Sequence, residues 1–191
     1  HRSSSIVAEL ACPQAIAGAF DGLSELQGRP GSEIVVAVDG AGERHVVEIA
    51  PAEVSRIGQR SPGRRGASAR RAASVRTRAE TIVQGSGRAH ETVSGREWEL
   101  DATGFWQAHR GAAQTYSDVI AEWAEPSPGS VAWDLYGGVG VFAAPLAHGV
   151  GPNGEVVSVE FSRRAAADGA NALADLGAVR FAPGRVERAA R

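Results

Sequence analysis

Apolar and polar residues alternate with a period of two at residues 5–10, Glu33–Val38 and Arg44–Ile49, which predicts three strands. The last two flank Asp39-Gly40-Ala41-Gly42-Glu43 and so read as a hairpin. Between the first strand and that hairpin, Ile16, Phe20, Leu23 and Leu26 follow helical spacing behind Pro13, which predicts a helix over residues 13–26. Strand character returns at residues 80–83, 91–93 and 98–100, with Gly85, Gly87 and Gly95 between them, and these strands are expected to complete the first sheet. A helix follows in which Ala112, Tyr116, Val119, Ile120 and Trp123 share one face and Pro126 ends it. From residue 131 the pattern becomes strand (131–136), helix (141–148), strand (Glu155–Glu160), helix (162–176), strand (178–181). Such alternation implies a parallel sheet with crossover helices. The fold class is therefore α/β, a partial Rossmann-like, doubly wound sheet over residues 104–191, preceded by a small α+β domain over residues 1–103.

Composition sharpens this division. Residues 56–78 carry eight arginines and no acid, separated by Ser, Gly and Ala, and read as a loop or linker within the first domain. The 43% hydrophobic fraction contains no run of about 20 apolar residues, so no membrane span is expected. No apolar signal core follows His1, and a cytoplasmic location is the default. All 20 basic residues are Arg, a bias that suits phosphate forks and equally a GC-rich genome. The single cysteine, Cys12, excludes an internal disulfide and cannot alone build a zinc site. The histidines show no metal-ligand spacing, so no metal centre is expected. Met is absent, and the chain reads as a fragment cut short at both ends.

The chemistry concentrates in Asp134-Leu135-Tyr136-Gly137-Gly138-Val139-Gly140-Val141-Phe142, where a predicted strand meets a helix. Glycines there let a ligand approach the backbone with no Cβ in the way. The spacing Gly138-x-Gly140-x-x-Ala143 also fits a dinucleotide fingerprint, and Glu160 stands twenty residues beyond Gly140, where a ribose diol would be held. NAD and FAD therefore remain open, as does a glycine turn with no ligand. Asp134 favours a third candidate. A carboxylate at the mouth of the loop would repel a diphosphate, whereas S-adenosylmethionine has no phosphate and carries a sulfonium and an ammonium.

Two stretches, Gly104-Phe105-Trp106-Gln107-Ala108-His109 and the loop from Asp134 to Phe142, resemble the paired signature of the RNA 5-methyluridine methyltransferases. The first is similar to that family's Phe-x-Gln element and the second to its Asp-Leu-Tyr-Cys-Gly-x-Gly-x-Phe loop; Asn171-Ala172 and Phe181 also fall in register. The resemblance implies S-adenosylmethionine as cofactor, contacts to it from Gln107, Asp134, Tyr136, Gly138, Gly140, Val141 and Glu160, and an RNA substrate, ribosomal or transfer. Three positions depart from the pattern. Gly137 replaces the usual cysteine and is expected to loosen the turn, Val141 replaces an Asn or Thr, and Arg185 stands near the expected adenine end.

In that family a cysteine thiolate adds to C6 of uracil, C5 attacks the methyl, and a glutamate removes the C5 proton. The motifs that carry this thiol and base do not occur in residues 1–191, so no catalytic residue is assigned and the chain alone is expected to be inert. Cys12-Pro13 resembles the last iron–sulfur ligand of some members, a lone remnant here. Arg64, Arg65, Arg70 and Arg71 are the candidate RNA contacts, and Trp98 and Trp106 read either as base-stacking or as core residues. The strand of Phe181 is expected to leave an unpaired edge prone to self-association. Two other functions remain open, a non-catalytic RNA-binding scaffold and an NAD-linked oxidoreductase.

Overall fold

The computed structural model describes residues 15–51 and 78–189. The strand expected over residues 5–10, Cys12 and the arginines at 64, 65, 70 and 71 lie outside them. In the first sheet β1 (Glu33–Val38), β2 (Arg44–Ile49) and β3 (Glu80–Gln84) are antiparallel in the order β1-β2-β3. The hairpin expected around residues 39–43 forms, with Val35 opposite Val47 and Val36 opposite Val46. As the central strand, β2 buries His45, Val46, Val47 and Glu48 consecutively, a run that a one-faced strand would not tolerate.

The helix expected over residues 13–26 does not form in its described part. Residues 16–22 make turns, and only Leu23–Glu25 wind into a 3-10 turn, because Gly18 (φ 81°) and Gly22 (φ 68°) take left-handed backbone that interrupts α-helical hydrogen bonding. A second correction concerns β4 (Arg88–Val93) and β5 (Arg96–Asp101). They pair only with each other, as a separate antiparallel hairpin, and of the strands expected to complete the first sheet only β3 does so. The hairpin stays tied to the first sheet through Asp39, whose Oδ2 accepts the His90 N–H at 2.9 Å, and through the Gly40 N–H to His90 O at 2.9 Å. Its apolar face, Ala89, Val93, Trp98 and Leu100, joins the core of the C-terminal unit instead.

That unit begins with α1 (Ala112–Trp123). The face expected to be buried packs only in part. Ala113 and Ser117 are buried and Ile120 half-buried, whereas Trp123 is 76% exposed and Tyr116 47%. An arc of small side chains allows α1 to lie close to its neighbouring helix. Then β6 (Val131–Leu135), α2 (Ala143–Val150), β7 (Glu155–Glu160), α3 (Arg163–Ala172) and β8 (Val179–Pro183) build a parallel sheet in the order β6-β7-β8, followed by the single turn α4 (Val186–Ala189). The expected α/β class is thus observed, and the described residues supply one direction of its winding. Ser162 caps α3, its Oγ accepting the Ala165 N–H at 3.2 Å. Ala143, Val150, Val156, Val159 and Leu173 form the dry centre.

Among the described residues β6 and β8 are the sheet edges, and the exposed apolar side chains lie on β6 (Val131, Trp133, Leu135) rather than on the strand of Phe181. Phe181 packs inward against Gly140 and Gly169, which is why its strand presents little apolar surface. No helix among the described residues is long and apolar enough to cross a membrane.

Candidate functional site

At the carboxyl ends of the parallel strands lies a cavity of about 380 Å³, a size typical of small-molecule sites. Its walls come from four places: Tyr136 and Gly138 of the turn after β6, Glu160 and Ser162 at the end of β7, Asp101 and Phe105 at the end of β5, and Ala165 and Asp168 of α3. The sheet supplies the first two because parallel strands all point their carboxyl ends the same way, and ligands of open α/β sheets settle there.

The turn holds several residues in left-handed backbone: Tyr136 (φ 63°), Gly138 (φ 56°) and Gly140 (φ 76°). For Tyr136 this conformation costs on the order of 1–3 kcal/mol and leaves the side chain 72% exposed over the cavity. The two glycines do different work. A Cβ at Gly138 would meet no atom within 4 Å, so its open side is where a ligand can lie against the backbone. A Cβ at Gly140 would stand 2.6 Å from the Phe181 ring, so that glycine serves internal packing.

Glu160 is the organising carboxylate. Its Oε2 accepts the Gly138 N–H at 3.0 Å and its Oε1 the Ser162 N–H at 2.5 Å. A carboxylate has about four lone-pair sites, so two remain for hydroxyl donors while the backbone bonds hold the group in one orientation. The same bond takes the glycine-turn N–H that a pyrophosphate would need and puts a negative charge beside it.

Asp134 does not stand at the mouth of the loop as its place in the sequence suggests. It is 6% exposed, does not line the cavity, and accepts the Ser158 hydroxyl at 3.1 Å. Burial pushes its carboxyl above the ordinary range, the Ser158 hydrogen bond opposes this, and the nearby Glu160 charge adds to it. The electrostatic selection assigned to Asp134 therefore passes to Glu160. Nor does Gly137 loosen the turn. A Cβ there would overlap the Ser158 hydroxyl and come 2.6 Å from Asp134 Oδ2, so the space of the expected thiol is already filled from β7.

Of the seven residues expected to hold a cofactor, Tyr136, Gly138 and Glu160 converge on the cavity. Gly140 and Val141 back the turn from the core side, and Gln107 is half-buried in the segment before α1, off the cavity wall. Arg185 also lies off the wall, with its guanidinium 5.1 Å from the Phe161 ring centroid. Sequence reasoning missed Phe105, 79% exposed, although it lies in the quoted Phe-Trp-Gln motif; it also missed Asp101 and Asp168, which no local pattern marks. Trp98 is 2% exposed and so presents no face to a base, while Trp106 is half-buried against the core.

Beneath the cavity Arg88 ties its walls together. Its guanidinium meets Asp168 of α3 at 2.7 Å and Asp101 of β5 at 2.6 Å, while Arg164 pairs with Asp101 from above. The hydrogen bond to Asp168 leads the interactions that hold Arg88 above the usual guanidinium range, against the cost of its partial burial. Away from the cavity, Asp39, Glu43 and His45 converge closely enough to hold a cation. Asp39 already accepts the Glu43 and His90 N–H groups and faces His45 Nε2 at 3.3 Å, which gives the trio a structural purpose.

A parallel α/β unit with a glycine turn, a carboxylate at the end of the second strand and an adjoining cavity defines a Rossmann-like domain. Over nearly its whole length the chain is similar to an uncharacterized RNA methyltransferase of Corynebacterium diphtheriae, 36% identical over 186 residues that cover 92% of this chain and 40% of that protein. A second, of Corynebacterium efficiens, is 37% identical over 199 residues, 97% of this chain and 42% of that protein. The chain thus spans about two fifths of the length of these relatives. It is also partly similar to the crystal structure of the Pyrococcus abyssi tRNA (uracil-54, C5)-methyltransferase in complex with S-adenosyl-L-homocysteine, with a TM-score of 0.43, 18% identity, and coverage of 54% of this chain and 26% of that one. No family model matches.

Proposed function

We propose that this chain is the donor-binding part of an S-adenosylmethionine-dependent RNA methyltransferase. The observation that carries the reading is Glu160, locked by the Gly138 and Ser162 N–H groups with two lone-pair directions left over. That arrangement suits a ribose diol and a cationic cofactor, and it occupies the backbone donor that a diphosphate would use. Bound S-adenosylmethionine supplies an electrophilic methyl group on a sulfonium. Of the chain's own residues, Glu160 holds the ribose, Gly138 lets the cofactor lie on the backbone, and Tyr136 and Phe105 close the two sides against water.

The finer reading is methylation at uridine C5 and rests on the resemblance of Gly104–His109 and Asp134–Phe142 to that family's signature. RNA, ribosomal or transfer, is the partner, with Arg64, Arg65, Arg70 and Arg71 neutralising phosphates. Among the described residues the cavity is lined by the carboxylates Asp101, Glu160 and Asp168 and by no thiol, and the reading proposed for this chain is donor binding. Asp134, Gly140 and Val141 support the turn from behind, and Gln107, in the segment before α1, keeps the cofactor contact that the resemblance gives it.

Calorimetric titration with S-adenosylhomocysteine and, in parallel, with NAD tests the assignment. Saturable binding of the first and none of the second is expected. The reverse result transfers the site to an oxidoreductase, and binding of neither leaves an RNA-binding scaffold. RNA binding through the four arginines is tested by its salt dependence, since each lost phosphate contact to single-stranded RNA lowers the logarithmic slope by about 0.7.

A further inference from the structure

We propose that Trp98 is a positioning residue for the glycine turn, and that hairpin β4–β5 therefore belongs to the donor-binding body. The link to the donor rests on the function proposed above. Trp98 lies on β5, 41 residues before the turn, and is 2% exposed. Its indole Nε1–H donates to the carbonyl oxygen of Val139 at 3.0 Å. Val139 stands between Gly138, whose open side faces the cavity, and Gly140, packed on Phe181.

A turn with three left-handed residues has few backbone bonds of its own. Here they are the Gly140 N–H to Gly137 O at 2.8 Å and the Gly137 N–H to Val159 O at 3.1 Å. The first holds the N–H side of the peptide between Val139 and Gly140, and the indole holds its carbonyl side. From α3, Gly169 approaches so closely that a Cβ there would stand 2.7 Å from the same oxygen. The Val139 carbonyl is therefore held in a slot with one donor.

That donor is itself immobilised. At one end of the hairpin Arg88 grips Asp168, and beyond the turn Arg96 meets Asp175 through two bonds of 2.5 and 2.8 Å and the Ala172 carbonyl at 2.8 Å. Asp168 lies on α3 and Asp175 in the turn just past its end, so the two arginines reach both the helix and its exit. Two arginine clamps flank the Trp98 bond, and α3, β5 and the turn move as one piece. The first sheet is joined to this piece through Asp39 and Gly40 to β4 and through Glu80 to Thr103 and Arg164.

The test is Trp98→Phe, which keeps an aromatic ring in the core and deletes the N–H. Hydrogen exchange of residues 135–142 in the ligand-free chain is the first readout and S-adenosylhomocysteine affinity the second. Exchange of the turn should accelerate on the order of fivefold, with β1 and β2 unchanged, and affinity should fall by a similar factor, as expected for one buried hydrogen bond. Arg96→Gln, at a partly exposed position, is expected to accelerate the same segment and serves if Trp98→Phe does not fold. Unchanged exchange of the turn in the folded variants overturns the proposal, whatever the ligand does. Faster exchange with unaltered affinity overturns the link to the donor. Absence of S-adenosylhomocysteine binding in the parent chain overturns the donor assignment alone, and the exchange data still decide on Trp98.

Discussion

Gly137 stands where its resemblance family usually carries cysteine, and the structure says that here the site has no room for one. Consider Gly137→Ala. The added methyl would overlap the Ser158 hydroxyl and lie 2.6 Å from Asp134 Oδ2, atoms that are themselves joined at 3.1 Å and buried. Overpacking of this kind costs about 1–3 kcal/mol, and displacing Ser158 also sacrifices a buried hydrogen bond of about 1 kcal/mol. A loss of about 2 kcal/mol is expected, lowering Tm by about 4–8 °C for a chain of this size. Ser158→Ala alone should cost about 1–2 kcal/mol, because Asp134 is left without its donor. In the double variant the new methyl takes the vacated hydroxyl space and only the approach to Asp134 Oδ2 remains, so the cost of Gly137→Ala should fall by about half or more. Urea denaturation of the four proteins measures the coupling, expected at about 1–2 kcal/mol and favourable. Additivity within about 0.5 kcal/mol would refute the claim that Ser158 fills the thiol's place.

Three further outcomes are expected. Glu160→Ala removes the carboxylate that would accept the ribose hydroxyls, so calorimetry should show S-adenosylhomocysteine affinity lowered at least tenfold, since each hydrogen bond to a charged group is worth about 1.5–3 kcal/mol. Asp134 has a raised carboxyl, so the folded state binds its proton more tightly than the unfolded chain; stability should be highest below the ordinary carboxylate range and fall as pH rises through the folded value. Asp134→Asn should flatten that part of the denaturation profile, and an unchanged profile would show that this carboxyl does not titrate as described. For Asp39 the sign is opposite. Burial raises its carboxyl, but the N–H groups of His90 and Glu43 and the His45 side chain outweigh that and hold it below the ordinary range, so its contribution is present above the ordinary value and is lost as pH falls through the folded one. Asp39→Asn should accordingly blunt acid unfolding of the β1–β2 hairpin, followed by hydrogen exchange across a pH series.

What could be read along the chain was whatever depends on near neighbours. The strand period at Arg44–Ile49 and Glu155–Glu160, the alternation of strand and helix after residue 131, the glycines after β6 and the carboxylate at the end of β7 are all local patterns, and each is found where its pattern places it. The same reasoning placed a helix across Gly18 and Gly22, because apolar spacing says nothing of backbone sign, and it buried Tyr116 and Trp123 on α1 when the neighbouring helix demanded the small-residue face. Only the tertiary structure decided that Ser158 closes the gap at Gly137, that Asp134 is buried behind the turn, and that β4 and β5 leave the first sheet to hold the cavity. Each of these rests on partners 21 to 80 residues away, such as Gly137 with Ser158 and Arg88 with Asp168. A hydrogen bond or a steric overlap depends on where chain segments meet in space, and a periodic pattern within one segment carries no record of which other segment it will meet.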